Sequence, residues 1–454
     1  MEGGPLSSCA EEVSLERRPI TFGTDGVRGV ANVGLIPEDA LGLGLAVARL
    51  FGGPILVGRD TRLSGGMLSC SLAAGAASGG AKVIDVGILP TPGVAALAPR
   101  LGAAAAGVVS ASHNPYPDNG IKFFSGKGRK LPADKQREIE SLTGDASPER
   151  PTGSEVGAVE ALGDAARLYA EGILEKLRPR AEGMKVLLDC ANGAAYETAP
   201  LVFGELGVDL AVVGNRPSGT NINEGCGSTH VDGLDASGHD VAFAFDGDAD
   251  RVLAVDERGN VVDGDRIIAI LARDLKERNA LAGGVVVTVM SNLGFFKAME
   301  SLNIPYGVTP VGDRHVAEAM VQRGASVGGE QSGHVILSEY VTTGDGLITA
   351  LALLDVIARS GEQLSALAKV MEVYPQRLIN VSVPDVASAK MVVTSEPVEQ
   401  AVSEAENRLG EEGRILLRAS GTEPVVRVMA EHADAAVCRR VCEEVARVVE
   451  EAGS

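Results

Sequence analysis

The sequence predicts an α/β fold, in which three similar α/β domains with mixed, largely parallel sheets and a smaller C-terminal α+β domain surround a central cleft. A strand–helix–strand pattern recurs three times, and the pattern changes after about residue 376. Apolar residues make up 45% of the 454 residues, enough for several cores. We divide the chain into an N-terminal extension (1–18) and four domains (19–160, 161–265, 266–376 and 377–454).

The first unit combines two apolar strands, at 55–60 and 82–86, with a helix between them at 64–78. A third apolar run, 103–109, predicts a buried strand. It is followed by the loop 110–115, in which Asn114-Pro115 breaks regular structure. Ser112 lies in this loop, so we expect a hydroxyl group at the end of a buried strand.

The second and third units repeat this order. Strands are predicted at 185–189, 208–213 and 241–245, and the last of these leads into the loop 246–251. In the third unit, strands at 285–289 and 304–309 precede a turn at 312–315 and the loop 329–334. Ligands of parallel sheets gather beyond the carboxyl ends of the strands. A similar order of strands and helices in three segments occurs by chance in many α/β proteins. The loops after the third strands carry complementary chemistry, which favours three repeated domains around one cleft.

The last segment predicts a small α+β domain with strands at 378–383, 414–417 and 425–430 and two helices. Cys438 and Cys442 lie one helical turn apart. Because no His or further Cys joins them, a place on the apolar stripe of the final helix is favoured over a metal site. We expect all six cysteines to be reduced. The first residues lack a secretory signal and no apolar run has transmembrane length, which predicts a cytoplasmic protein.

The formal charge of −20 makes general binding of nucleic acid unfavourable. An anionic substrate would therefore require a local concentration of positive charge or a recruited cation. We expect a small-molecule partner, no nucleic acid and no membrane, with a homodimer as a possible assembly.

Ser112 needs a base, a metal or an oriented charge to act as a nucleophile. His113 is its neighbour in the sequence, but adjacent residues rarely face each other; we keep His113 among the candidate catalytic residues. No Gly-x-Ser-x-Gly motif surrounds the serine, which argues against acyl transfer. Arg28, on a glycine-rich turn at 22–28, and Lys122 are candidates for proton transfer or charge stabilisation, with an exposed surface role as the alternative.

Asp246, Asp248 and Asp250 follow the third strand of the second unit at a spacing of two. On an extended chain this spacing places all three carboxylates on one side. Such a cluster needs a cation, and hard oxygen ligands suit Mg2+ or Ca2+. Arg251 stands where a calcium-binding EF-hand loop needs glycine, so Mg2+ is favoured; the plain alternative is a solvated acidic turn.

Two further loops predict binding of a phosphorylated sugar. The segment 418–424 offers a guanidinium, two hydroxyls and glycine-permitted backbone N–H groups, which suits a phosphate that is held and not cleaved. The loop 329–334 offers an acceptor and a donor for sugar hydroxyls. The candidate substrate-binding residues are Arg251, Glu330, Ser332, Arg418, Ser420, Gly421, Thr422 and Arg427.

These loops together closely resemble the α-D-phosphohexomutase superfamily, from about Thr21 to Ala430. Within it, Gly-Glu-Gln-Ser-Gly-His at 329–334, Thr-Phe-Gly-Thr-Asp-Gly-Val-Arg-Gly at 21–29 and Val-Gly-Asp-Arg at 311–314 are similar to the phosphoglucosamine mutase branch. Phosphomannomutase/phosphoglucomutase enzymes tend to have Met in place of Gln331 and His in place of Asp313.

The resemblance implies that Ser112 is carried as phosphoserine and that Mg2+ binds one of its oxygens together with Asp246, Asp248 and Asp250. It implies interconversion of glucosamine 6-phosphate and glucosamine 1-phosphate, a step toward UDP-N-acetylglucosamine. The route passes through glucosamine 1,6-bisphosphate, as intermediate or activator. By the same resemblance Lys122 and Arg28 are the candidates for proton transfer and charge stabilisation.

Three alternatives stay open at this point. A phosphomannomutase or phosphoglucomutase would use the same chemistry on a different sugar. A Mg2+-dependent phosphatase would let water attack the phosphoserine, although the second phosphate loop speaks against it. A sugar-phosphate binding protein without catalysis would leave Ser112 unused.

Overall fold

A computed structural model describes residues 20–23, 25–145, 149–420 and 423–453. The predicted extension 1–18, Cys9 and two predicted phosphate-binding residues, Gly421 and Thr422, lie outside these ranges.

The first unit contains the predicted strands and helix and adds flanking elements. Its elements are β1 (Val27–Val30), α1 (Pro37–Phe51), β2 (Ile55–Arg59), α2 (Leu63–Ser78), β3 (Val83–Ile88), α3 (Thr91–Arg100), β4 (Ala105–Val109), β5 (Asp118–Ser125), α4 (Ala133–Thr143) and β6 (Val159–Ala161).

The next two units follow the same alternation of strands and helices. Their elements are α5 (Ala165–Lys176), β7 (Lys185–Asp189), α6 (Ala195–Gly204), β8 (Asp209–Val213), β9 (Val241–Phe245), β10 (Val252–Asp256), β11 (Val261–Val262), α7 (Gly264–Glu277), β12 (Val285–Thr288), α8 (Leu293–Ser301), β13 (Tyr306–Thr309), α9 (Asp313–Arg323), β14 (Val327–Gly329), β15 (Val335–Leu337), α10 (Gly346–Ser360) and α11 (Leu364–Leu367).

The three units share one sheet topology. In each, the first strand (β2, β7 or β12) lies between the second and the third and is parallel to both. A fourth strand (β5, β10 or β15) then runs antiparallel to the third. The loops 110–115, 246–251 and 330–334 therefore leave equivalent strands, β4, β9 and β14, at their carboxyl ends. The predicted fold class is confirmed, whereas the domain boundaries after residues 160, 265 and 376 stay a prediction.

The C-terminal part forms a separate antiparallel sheet covered by helices. Its elements are β16 (Gln376–Ser382), α12 (Val386–Val393), α13 (Glu396–Leu409), β17 (Gly413–Ala419), β18 (Val425–His432) and α14 (Ala435–Gly453). The strand order is β16-β18-β17. The structure has three helices in this described segment, so the prediction of two was wrong.

The apolar cores follow this division. One cluster of buried side chains runs through all three α/β units and includes Leu56, Phe243 and Val287. The C-terminal domain has its own cluster, in which Cys438 and Cys442 are buried on α14 as predicted. Within the described ranges, no helix is both long and apolar enough to cross a bilayer.

Two local expectations were wrong. Arg28 does not lie on a turn but on β1, which pairs antiparallel with β5 and places Arg28 opposite Gly120. That partner is almost a hundred residues away, so no local pattern indicated it. The predicted turn at 312–315 is instead the start of α9, which buries Val316 and Met320.

Candidate active site

Ser112 is buried and adopts a left-handed backbone conformation, with φ of 52°. This region is unfavourable for residues other than glycine and needs support from surrounding contacts. Part of the support is local, because the Ser112 N–H donates to Ser110 Oγ at 2.9 Å and Ser110 Oγ donates to Asp60 Oδ2 at 2.7 Å.

Two residues that the sequence analysis did not select hold the carbonyl groups of this loop. Arg62 Nη2 donates to the carbonyl oxygens of Ser112 at 2.8 Å and Asn114 at 2.7 Å. From the second unit, Asn223 Nδ2 donates to the same two oxygens at 2.9 and 3.1 Å. The sequence indicated a site position for Arg62 alone, because it follows the carboxyl end of β2, at the same edge of the sheet as the other loops of the site.

The Ser112 hydroxyl faces the aspartate loop. Its Oγ donates to Asp246 Oδ2 at 2.5 Å. His113 Nδ1 lies 3.3 Å from the same Oγ, so the expectation that the two neighbours do not face each other was wrong. Burial, followed by the positive charges of Arg251 and Arg28, lowers the pKa of His113 to about 4, which keeps its imidazole neutral at pH 7.

The carboxylates of Asp246, Asp248 and Asp250 converge, with ligand oxygens within 4.8 Å of one another. The clustering is as predicted, but its cause is different. The loop is a turn closed by a hydrogen bond from Ala249 N to Asp246 O at 3.1 Å, with Ala249 at a φ of 56°, and not an extended strand. No local pattern indicated that an alanine would adopt this conformation.

The donor set of this turn fits a hard divalent cation. All three carboxylates are buried, and the Oδ1 atoms of Asp248 and Asp250 have no hydrogen-bond partner. Burial and the neighbouring carboxylates of Asp250 and Asp248 raise the pKa of Asp246 well above its usual range. Clustered oxygen ligands with unused lone pairs suit Mg2+.

Lys122, on β5, reaches this cluster. Its Nζ lies 2.8 Å from Asp248 Oδ2 and 3.5 Å from Asp250 Oδ2. Burial opposes the charge of Lys122, but Asp248, Asp25 and Asp250 outweigh it and hold its pKa well above the usual value. The ammonium group is therefore buried against the carboxylates in this state of the protein.

Two arginines flank the same cleft. Arg28 forms an ion pair with Asp25, and its Nη1 donates to Asn114 Oδ1 at 3.3 Å, which links it to the Ser112 loop. Arg251 Nε lies 3.7 Å from Asp250 Oδ1. Burial opposes the charge of Arg251, but Asp250 and Asp246 raise its pKa.

The loop from the third unit connects to these groups through Glu330 and His334. Glu330 Oε1 accepts from Gly312 N at 3.1 Å, and its charge influences the pKa of both Arg251 and Arg418. Buried His334, which the sequence analysis left without a role, has its Nδ1 3.7 Å from Asp250 Oδ1. Ser332 is exposed, and the described contacts do not join it to the other groups.

The C-terminal domain presents two arginines side by side on neighbouring strands. Arg418 on β17 pairs in register with Arg427 on β18. Burial and then Arg427 lower the pKa of Arg418. Arg427 also forms an ion pair with Glu423 at 2.8 Å, and an anion that contacts both arginines would offset the repulsion between them. Ser420 Oγ accepts from Glu423 N at 3.2 Å, which orders the start of the loop.

Comparison with known proteins finds four matching domain families along the chain. They are the phosphoglucomutase/phosphomannomutase alpha/beta/alpha domains I (residues 19–149), II (167–259) and III (263–374) and the C-terminal domain of the same family (378–448).

A phosphoglucosamine mutase of Rubrobacter xylanophilus is 70% identical over 438 residues, which are 96% of this chain and 99% of that protein. Among solved structures, a phosphoglucomutase/phosphomannomutase family protein of Burkholderia thailandensis has a TM-score of 0.80 at 26% identity, covering 94% of this chain and 96% of that one. N-acetylphosphoglucosamine mutase of Aspergillus fumigatus, solved with GlcNAc-6P and magnesium, has a TM-score of 0.70 at 19% identity over 96% of each chain, a likeness of fold. With all four of its domains matched in order, this chain belongs to the phosphoglucomutase/phosphomannomutase family.

Proposed function

We propose that this chain is a phosphoglucosamine mutase, which interconverts glucosamine 6-phosphate and glucosamine 1-phosphate. One observation carries the proposal: a buried serine hydroxyl faces three convergent carboxylates, while a separate pair of arginines can hold a second phosphate. The high identity to the Rubrobacter xylanophilus protein of that name supports the choice of sugar.

The chemistry starts from phosphorylated Ser112. The free hydroxyl oxygen of the sugar forms a bond to phosphorus as the bond from phosphorus to Ser112 Oγ breaks. Lys122 gives a proton to the departing Oγ and recovers one from the sugar hydroxyl, so that it ends unchanged. Arg28 and Arg251 stabilise the charge on the phosphoryl oxygens, since phosphoryl transfer depends mainly on positioning and charge.

The second phosphate of the substrate is held and not cleaved. Arg418, Arg427 and Ser420 bind it, together with Gly421 and Thr422 of the same loop, while Glu330 and Ser332 orient the sugar hydroxyls. The product of the first transfer is glucosamine 1,6-bisphosphate. It turns over in the cleft and returns its other phosphate to Ser112, which restores the phosphoenzyme.

A Mg2+ ion held by Asp246, Asp248, Asp250 and an oxygen of phosphorylated Ser112 would offset the negative charge of the phosphoryl group. The unpartnered carboxylate oxygens support this assignment. A structural neighbour that holds magnesium together with GlcNAc-6P adds to it. His113, neutral and close to Ser112 Oγ, is assigned to orienting that oxygen.

The second candidate is a phosphomannomutase or phosphoglucomutase with the same mechanism. The residue that distinguishes the two in the sequence is Gln331, and its side-chain amide donates to Asp263 Oδ2 at 3.1 Å. An amide engaged in this way contributes less to the choice of sugar than a free one. A modest change in a pocket alters selectivity by only about 1–3 kcal/mol.

A substrate panel followed by 31P NMR distinguishes these functions. Glucosamine 6-phosphate, glucose 6-phosphate and mannose 6-phosphate are each incubated with the phosphorylated enzyme and Mg2+. We expect glucosamine 1-phosphate to form with the highest kcat/KM. A large preference for glucose or mannose phosphate would support the second candidate, release of inorganic phosphate would indicate a phosphatase, and no turnover would indicate a binding protein.

We also propose a cytoplasmic location and a homodimeric assembly. The five described cysteines are free thiols, which suits a reducing compartment. Cell fractionation tests the location, and light scattering coupled to size-exclusion chromatography tests the assembly; a monomer at micromolar concentration would refute the dimer.

A further inference from the structure

Thr91 makes two hydrogen bonds to the aspartate loop from another unit of the fold. It is the first residue of α3, and its Oγ1 donates to Asp248 Oδ2 at 2.5 Å. Its backbone N–H donates to the carbonyl oxygen of Asp248 at 2.9 Å. Thr91 is 1% exposed and Asp248 is fully buried, so water does not compete for these bonds.

The two oxygens of the Asp248 carboxylate have different surroundings. Oδ2 accepts from Thr91 and lies 2.8 Å from Lys122 Nζ, whereas buried Oδ1 has no hydrogen-bond partner. Because both donors act on Oδ2, the carboxylate is held in one orientation, with Oδ1 left for another ligand. In this bond the Thr91 hydroxyl is the donor and Asp248 Oδ2 is the acceptor.

The two partners of Oδ2 are not equivalent. Lys122 is the residue to which we assign proton movement, and its ammonium group is shared between Asp248 and Asp250. Thr91 is neutral, has no part in that proton movement and is fixed at a helix N-terminus by its own backbone bond. It is therefore the partner that can keep Asp248 in place throughout a reaction cycle.

We propose that Thr91 is a positioning residue for the cation site: its hydroxyl orients Asp248 so that Oδ1 points to the divalent ion. The inference rests on the proposed function in that it takes Asp246, Asp248 and Asp250 as the ion's ligands. Hydrogen-bond partners that orient metal ligands typically contribute about 10–100-fold to metal affinity.

The test is Mn2+ affinity, measured by electron paramagnetic resonance on the full chain with Ser112 dephosphorylated, as checked by intact mass. Thr91→Val removes the hydroxyl at nearly constant volume, Thr91→Ala does so with a good helix former, and Thr91→Ser retains it. Thr198→Val is the matched control, because Thr198 is buried and its Oγ1 has no hydrogen-bond partner.

We expect the Kd for Mn2+ to rise about 10–100-fold in Thr91→Val and Thr91→Ala, and to stay within about threefold of wild type in Thr91→Ser and Thr198→Val. The rise in Tm that Mn2+ causes should shrink in the same two variants. Unchanged affinity in Thr91→Val and Thr91→Ala, or an equal loss in Thr198→Val, would overturn the proposal. If Asp246→Asn also binds Mn2+ as wild type does, the proposed ligand set itself fails, and the role of Thr91 fails with it.

Discussion

Replacing Gly247 by alanine should slow phosphoryl transfer by separating two loops that are in direct contact. Gly247 lies between Asp246 and Asp248, and a Cβ there would be 2.5 Å from the carbonyl oxygen of Ser112 and 2.9 Å from Asn223 Nδ2. Gly247 is outside the left-handed region, so alanine adds no backbone strain. The effect is therefore a steric one on the distance between the serine loop and the aspartate loop.

The magnitude follows from that contact. Carbon and oxygen atoms rest at about 3.5 Å, so the loops must move apart by roughly 1 Å. A misplacement of this size between reacting groups can lower the rate about 100-fold. We expect kcat to fall by that factor, while KM changes less because the proposed phosphate ligands Arg418 and Arg427 are not displaced.

The assay is steady-state conversion of glucosamine 6-phosphate by protein whose phosphate content has been measured. Gly42→Ala is the control, since Gly42 lies in α1 with nothing within 4 Å of an added Cβ. It should retain the kcat of the wild type, and its Tm should be equal or higher because alanine is the better helix former. Wild-type turnover by Gly247→Ala at equal phosphorylation, or an equal loss of activity in Gly42→Ala, would contradict a steric separation of the two loops.

Three further outcomes are expected. Arg62→Met leaves Asp60 buried without its ion-pair partner and should lower the unfolding free energy by about 3–5 kcal/mol in urea denaturation; a loss below about 1 kcal/mol would contradict this. Iodoacetamide should alkylate exposed Cys70 well before buried Cys190, whose pKa is raised by burial, as followed by peptide mass spectrometry; equal rates would contradict the described packing. Burial raises the pKa of Asp345 from 3.8 to about 6, so the folded state binds its proton more tightly than the unfolded state does, and the contribution of Asp345 to stability should fall as pH rises from about 4 to 6. Asp345→Asn should remove that fall, and the Tm difference between variant and wild type should grow over this pH range; a constant difference would contradict the shift.

The sequence was sufficient to predict the parts of the site that depend on local pattern. Apolar strands ending in polar loops identified Ser112 and the three aspartates, because the carboxyl ends of equivalent strands meet in a repeated fold. Arg418 and Arg427 were identified in the same way, from charge next to a glycine-containing turn.

The remaining parts depend on contacts between units, which no local pattern encodes. Asn223 and Thr91 lie 111 and 157 residues from the groups they hold. The left-handed conformation of Ser112 is supported in part by one of these contacts, the bond from Asn223 to its carbonyl oxygen. A short polar residue after a strand has too many possible partners for its role to be read from sequence.

In the proposed function, Ser112 carries the phosphoryl group that the sugar receives. The most direct measurement is a single-turnover chase, in which enzyme phosphorylated with a 32P-labelled group is mixed with unlabelled glucosamine 6-phosphate and quenched at intervals. We expect the label to leave Ser112 and to appear in glucosamine bisphosphate and then in glucosamine monophosphates, and we expect Ser112→Ala to take up no label. Label that stays on the protein, or that is released only as inorganic phosphate, would contradict it.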